Sequence, residues 1–207
     1  MLYFENKARE KGFEIIVGID EAGRGPLAGP VVACAVALQK EIFQNKIADS
    51  KTITSQVRER AFYEIFDNAF VGIGVVNEHI IDRINILCAT HVAMSMAVER
   101  LIAKMRKSAS FQSGFENKIC LLVDGNSFKT DLPYAFETIV NGDALSLSIA
   151  CASIVAKVTR DRMLNIYDKV FPQYGFCRHK GYPTAAHRIA IRDHGLSPIH
   201  RRTFHHS

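Results

Sequence analysis

Short apolar runs bounded by glycine and proline alternate along this chain with longer stretches in which apolar residues recur at spacings of three and four. Residues 14–19 and Val31–Leu38 are brief and rich in β-branched side chains, which predicts two buried strands. Thr54 is placed to cap a helix whose Ala61, Phe62, Ile65, Phe66 and Ala69 share one face. Residues 70–76 read as a third strand. Over 85–105, Ala93, Ala97, Leu101 and Met105 fall every fourth position, the mark of a long amphipathic helix that ends before a polar loop at 106–117. Residues 119–123 and 136–140 supply a fourth strand and a short fifth.

A second long helix is predicted over about 145–170. Ala152, Val155, Met163 and Ile166 form its apolar stripe, while Ser153, Lys157 and Arg160 line another face. Thr184 opens a last helix that Gly195 closes. Strands followed by helices alternating with strands predict an α/β domain with a mixed sheet, one domain over residues 1–207.

Composition narrows the class without changing that picture. The chain has 207 residues, 48% hydrophobic and 23% charged, which suits one folding unit and excludes disordered and collagen-like chains. Its apolar runs fall short of the roughly 18 residues of a membrane span. The first 13 residues are too charged for a secretory signal, so a cytoplasmic protein away from membranes is expected. Five scattered cysteines without a C-x-x-C pair predict buried thiols rather than disulfides or zinc ligands.

Charge is unevenly spread. From Cys177 onward six basic residues, Arg178, Lys180, Arg188, Arg192, Arg201 and Arg202, face the single acid Asp193, so the net charge of +5 lies in that segment. Together with its histidines, this basic helical segment, about 171–207, suggests either a polyanion partner or a solvated tail.

The chemistry is concentrated where apolar strands end. The stretch 18–30 runs from a strand into Asp20 and Glu21 and then a glycine-rich turn. Adjacent strand residues face opposite sides, so the two acids can share a site only if the strand breaks near Glu21. Gly23-Arg-Gly25-Pro-Leu-Ala28 matches a dinucleotide-binding spacing, but that fingerprint requires a following helix and Val31–Leu38 favours a strand. Asp124 ends a further strand, and Asp143 precedes the second long helix, where it could equally be a helix cap. Carboxylates at the ends of separate elements, without histidine and cysteine at zinc spacing, point to Mg²⁺ or Mn²⁺ held by oxygen ligands. No activated serine or P-loop pattern competes.

The blocks at 18–30, Asp49-Ser-Lys51, Val123-Asp-Gly-Asn126, Gly142-Asp143, IACASIVAKVTRD at 149–161 and HKGYPT at 179–184 resemble, in order, the signature blocks of ribonuclease HII. The resemblance implies an RNase H-like α/β fold with a mixed five-stranded sheet, helices on its flanks and a small helical C-terminal segment. It implies a monomeric endonuclease that cleaves the RNA strand of RNA/DNA hybrids and single ribonucleotides in duplex DNA, leaving 5′-phosphate and 3′-hydroxyl ends. Asp20, Glu21, Asp124 and Asp143 would then hold two Mg²⁺ or Mn²⁺ ions. Gly23, Arg24 and Gly25 would read the ribose, Tyr182 would contact a sugar, and Lys51, Ser153, Lys157 and Arg160 would meet phosphates. The chain departs from the family pattern at Cys151 and in the loop 127–133. Another nuclease or recombinase of the same fold, and a catalytically silent nucleic-acid binder, are the competing readings. The Gly-Arg-Gly turn with Tyr182 argues against the first and the four acids against the second.

Overall fold

The computed structural model describes residues 1–111 and 114–205; Gln112 and Ser113 of the predicted polar loop, and His206 and Ser207 of the basic segment, lie outside the described residues. Five strands, β1 (Ile15–Ala22), β2 (Val31–Leu38), β3 (Ala69–Val76), β4 (Ile119–Asp124) and β5 (Ala135–Ile139), form one sheet in the order β3-β2-β1-β4-β5. β1, β2 and β3 pair antiparallel, and β4 joins β1 and β5 in parallel, so the sheet is mixed as expected.

The helices are α1 (Tyr3–Glu10), α2 (Ser55–Asn68), α3 (Glu78–Ile84), α4 (Ile86–Arg106), α5 (Gly142–Leu145), α6 (Leu147–Val170), α7 (Phe176–His179) and α8 (Ala185–His194). α4 covers one face of the sheet, where Ala93, Ala97, Leu101 and Met105 meet Val17, Ile19, Ala33, Leu121 and Val123. By length and composition α4 could cross a membrane, a property that its interspersed polar residues conceal in the sequence. Its buried half packs on the sheet, as the central helix of a folded core does. α2 and α6 cover the opposite face over Cys34, Val36 and Val71. Glycine at position 18 lets α6 lie directly on β1, since a Cβ there would sit 2.1 Å from the Ser148 carbonyl carbon.

Several boundaries differ from the expected ones. Ala69 is the first residue of β3 rather than the end of α2, because its backbone is already extended. The helix expected from 145 is two helices, broken at the extended Ser146, whose hydroxyl caps α6 through the Ile149 N–H. On α6, Ala152 and Val155 are buried but Ile166 is exposed, because the helix outruns the sheet. Three cysteines are buried, whereas Cys88 and Cys177 are exposed on helix surfaces. The segment following α6 folds back on its own small core, in which Ala28, Leu164, Tyr174, Phe176, Ala190 and Ile199 pack together.

Candidate active site

Parallel pairing of β1 with β4 sets Ile19 opposite Val123, which brings the next residue of each strand, Asp20 and Asp124, to the same end and face of the sheet. The face is the one covered by α6. Asp143 joins them through the short helix α5: the Gly142 N–H donates to Asp124 Oδ1 at 2.7 Å and fixes the turn that carries it. Glu21 arrives differently from the expectation. β1 does not break there but continues to Ala22, with Glu21 paired to Ala33 of β2. On the β4 side pairing has already ended, so Glu21 stands at an open sheet edge and still feels the charge of Asp124.

Crowding of acids in a buried setting dominates the electrostatics. Burial pushes the Asp20 carboxyl well above its ordinary value, and Glu21 and Asp124 push it further. Ser153, hydrogen-bonded to Ser50 Oγ at 2.9 Å, faces Asp20 and opposes part of that rise. Burial also raises Glu21; Arg24, 3.3 Å away, draws it back while Asp124 adds to the rise. Asp143 is raised by burial and by Asp124 and Asp49, with Lys51 Nζ at 3.6 Å from its Oδ2 working against them. Lys51 is raised in turn, because Asp143, Asp49, Asp20 and Asp124 together outweigh its desolvation.

Such a donor set fits a hard divalent cation. It offers only carboxylate oxygens, and positive charge would offset the burial and mutual repulsion that hold three of these carboxyls above their ordinary range. Among the described residues no three His, Cys, Asp or Glu side chains are gathered tightly enough to hold an ion unaided. Mg²⁺-type ions accept that arrangement, since they keep several waters and share their remaining positions between a few carboxylates and substrate phosphate.

Beside the acids, the glycine-rich loop is held in shape from underneath. Gly23 has φ +104, and a Cβ on it would lie 2.2 Å from Arg160 Nε. Arg160 is almost fully buried and donates to the carbonyls of Pro30, Ala28 and Lys180 at 2.9–3.0 Å. The expected phosphate contact for Arg160 is therefore corrected: its guanidinium is taken up by the loop. Ser153 is likewise buried and turned toward Ser50 and Asp20 rather than toward solvent. Lys157 is half-buried and bonded to Asp161 at 2.7 Å, while Lys51 and Arg24 are exposed. The Tyr182 ring is 42% exposed and stands 3.7 Å from the position a Cβ of Gly25 would take, so ring and turn form one surface.

Arg201 holds the same loop, a role that its place in a basic C-terminal segment does not suggest. It is fully buried and donates to the carbonyls of Gly23, Arg24, Pro26 and Gly29. Burial, and then the charge of Arg160, draw its pKa down to about 9. A buried histidine pair supports Tyr182: His187 Nε2 and His200 Nε2 are 3.0 Å apart, and His187 Nδ1 bonds the Tyr182 carbonyl at 2.9 Å.

The family model that matches this chain is that of ribonuclease HII, over residues 17–207. A ribonuclease HII of Acetivibrio thermocellus is 48% identical over 206 residues, covering 99% of this chain and 75% of that protein. Among solved structures, the chain resembles the ribonuclease HII of a PCNA:RNase HII complex from Archaeoglobus fulgidus, with a TM-score of 0.70 at 20% identity over 92% of this chain and 95% of that one. It also resembles Bst-RNase HIII in complex with Mn²⁺, with a TM-score of 0.63 at 16% identity over 96% of this chain and 70% of that one.

Proposed function

The chain belongs to the ribonuclease HII family and is an endoribonuclease acting on RNA/DNA hybrids, and we propose that Asp20, Glu21, Asp124 and Asp143 hold its divalent ions. The convergence of Asp20 and Asp124 on one end of two paired strands is the observation that carries this reading. Mg²⁺ or Mn²⁺ bound there would activate water and stabilise the leaving 3′-oxygen, giving 5′-phosphate and 3′-hydroxyl products. The Mn²⁺ complex of Bst-RNase HIII supports the choice of ion.

The protein's own groups supply selection and placement. Backbone groups of Gly23 and Gly25 can approach a ribose closely, and the 2′-hydroxyl is what distinguishes RNA from DNA at a given site. The Tyr182 ring, next to Gly25, offers a flat surface for the adjacent sugar. Arg24 and Lys51 carry exposed positive charge beside the acids and suit the flanking phosphates, with Lys157 behind them. Arg160 and Arg201 keep the turn in shape, and Ser153 steadies Asp20. Because one chain contributes all four acids, the site is complete in a single copy, which would act on hybrids and on ribonucleotide-containing duplex DNA.

Cleavage of duplexes carrying zero, one or four ribonucleotides tests this reading. A single ribonucleotide should suffice for cutting in the presence of Mg²⁺ or Mn²⁺. Cutting of all-DNA duplex at a comparable rate would refute recognition through one ribose.

A further inference from the structure

Glu5, on α1, is the most deeply buried acid among the described residues, only 1% exposed, and it lies before the stretch that the family model matches. Its Oε1 accepts from Ser146 Oγ at 2.6 Å and from Ser148 N and Oγ, each at 2.9 Å. Next to these bonds, the Leu147 N–H donates to the Met1 carbonyl at 2.8 Å, so the N-terminal segment grips the chain at three consecutive residues. Burying a carboxylate is costly unless it is well bonded. Its other oxygen, Oε2, is buried without a hydrogen-bond partner. What offsets the cost is the set of bonds on Oε1 and the start of the 24-residue helix α6, whose dipole favours negative charge.

The gripped residues border the active site. Ser146 caps α6 and donates its own N–H to the Gly142 carbonyl at 2.8 Å, closing the turn that carries Asp143. At the far end of that turn, the Gly142 N–H is bonded to Asp124. Asp143 thus sits on a short segment fixed at one end by Asp124 and at the other by Glu5 through Ser146. The geometry points to Glu5 as a positioning residue for the metal site, one that sets where Asp143 stands relative to Asp124. This inference rests on the reading of Asp143 as a metal ligand.

The test titrates Mn²⁺ into the full-length protein by calorimetry, without nucleic acid, for wild type, Glu5→Ala, Glu5→Gln and Asp143→Asn. Thermal melting and kcat and KM on a hybrid duplex at saturating Mn²⁺ accompany it. Groups behind metal ligands typically change affinity by about 10–100-fold, so Glu5→Ala should weaken Mn²⁺ binding at least about tenfold with KM unchanged. Glu5→Gln keeps an acceptor oxygen for the Ser146 and Ser148 donors and should stay within about threefold of wild type. A lower melting temperature for Glu5→Ala with unchanged Mn²⁺ affinity, or equal losses in the Ala and Gln variants, would overturn the proposal while leaving the four-acid reading intact. Unchanged affinity in Asp143→Asn would instead overturn that reading, and this proposal with it. Should Glu5→Ala not fold, Glu5→Asp, which withdraws the acceptor by one methylene, bears the same expectations.

Discussion

Arg160 occupies the space in which residue 23 would place a side chain: a Cβ at Gly23 would lie 2.2 Å from its Nε and 2.6 Å from its Cδ. The glycine-rich turn and the α6 helix are thereby one packed unit. A side chain at residue 23 fits only if Arg160 moves.

Gly23→Ala should accordingly do harm on two counts. A side chain at φ +104 carries strain of about 1–3 kcal/mol, and Arg160 must leave the carbonyls of Pro30 and Ala28. The variant should melt at lower temperature and lose cleavage of single-ribonucleotide duplexes while still binding Mn²⁺ in the absence of substrate. Full cleavage activity would mean that the turn does not read the ribose.

Arg201 and Arg202 are adjacent basic residues in opposite settings, the first buried and the second exposed. Arg201→Ala strands three buried carbonyls, those of Gly23, Pro26 and Gly29, along with the part-buried carbonyl of Arg24, and should destabilise the protein by on the order of 3 kcal/mol in chemical denaturation. Arg202 is exposed, and neutralising it together with the exposed Arg192 should change stability by less than about 1 kcal/mol. It should instead lower the salt dependence of duplex binding, by about 0.9 in log–log slope for each phosphate that is no longer neutralised. An unchanged slope would mark these residues as a solvated surface.

Stability and activity should move in opposite directions at Asp20. Its folded-state pKa lies above its ordinary value, as do those of Glu21 and Asp143, so at these three carboxyls the folded, metal-free protein holds more protons than the unfolded chain. The associated stability is fully present below the ordinary value of 3.8 for Asp20 and is lost as pH rises through the raised one. Asp20→Asn removes that loss. In melting experiments without metal, the variant should exceed wild type at pH 8, and the gap should close toward pH 4. Mn²⁺ should raise the melting temperature of wild type increasingly with pH, because ions and protons compete for the same carboxylates.

Sequence patterning makes the sheet and the two long helices readable because a central strand such as Val31–Leu38 is a short apolar run buried along almost its whole length, while the long helix is buried at every fourth residue from Ala93 to Met105. Asp20 and Glu21 stand out because they lie where an apolar strand leads into a glycine-rich turn, and Asp124 and Asp143 because they end a strand and open a helix beside glycine. What patterning does not reveal is burial of charge through distant partners. Arg160 and Arg201 look like solvent-facing basic residues until the carbonyls of the glycine-rich loop, more than 100 positions away in sequence, are seen to surround them. Glu5 is hidden for the same reason, since its partners Ser146 and Ser148 lie more than 100 positions along the chain. The strand continues through Glu21 to Ala22 against expectation because its pairing with β2 persists there after its pairing with β4 has ended.

That the four acids form one divalent-ion site is tested most directly by a crystal structure of the protein soaked with Mn²⁺. Carboxylate oxygens of Asp20 and Asp124 should both lie about 2.0–2.6 Å from a shared ion, with Glu21 and Asp143 completing the site directly or through water. An ion bound elsewhere, or one reached by only one of Asp20 and Asp124, would contradict it.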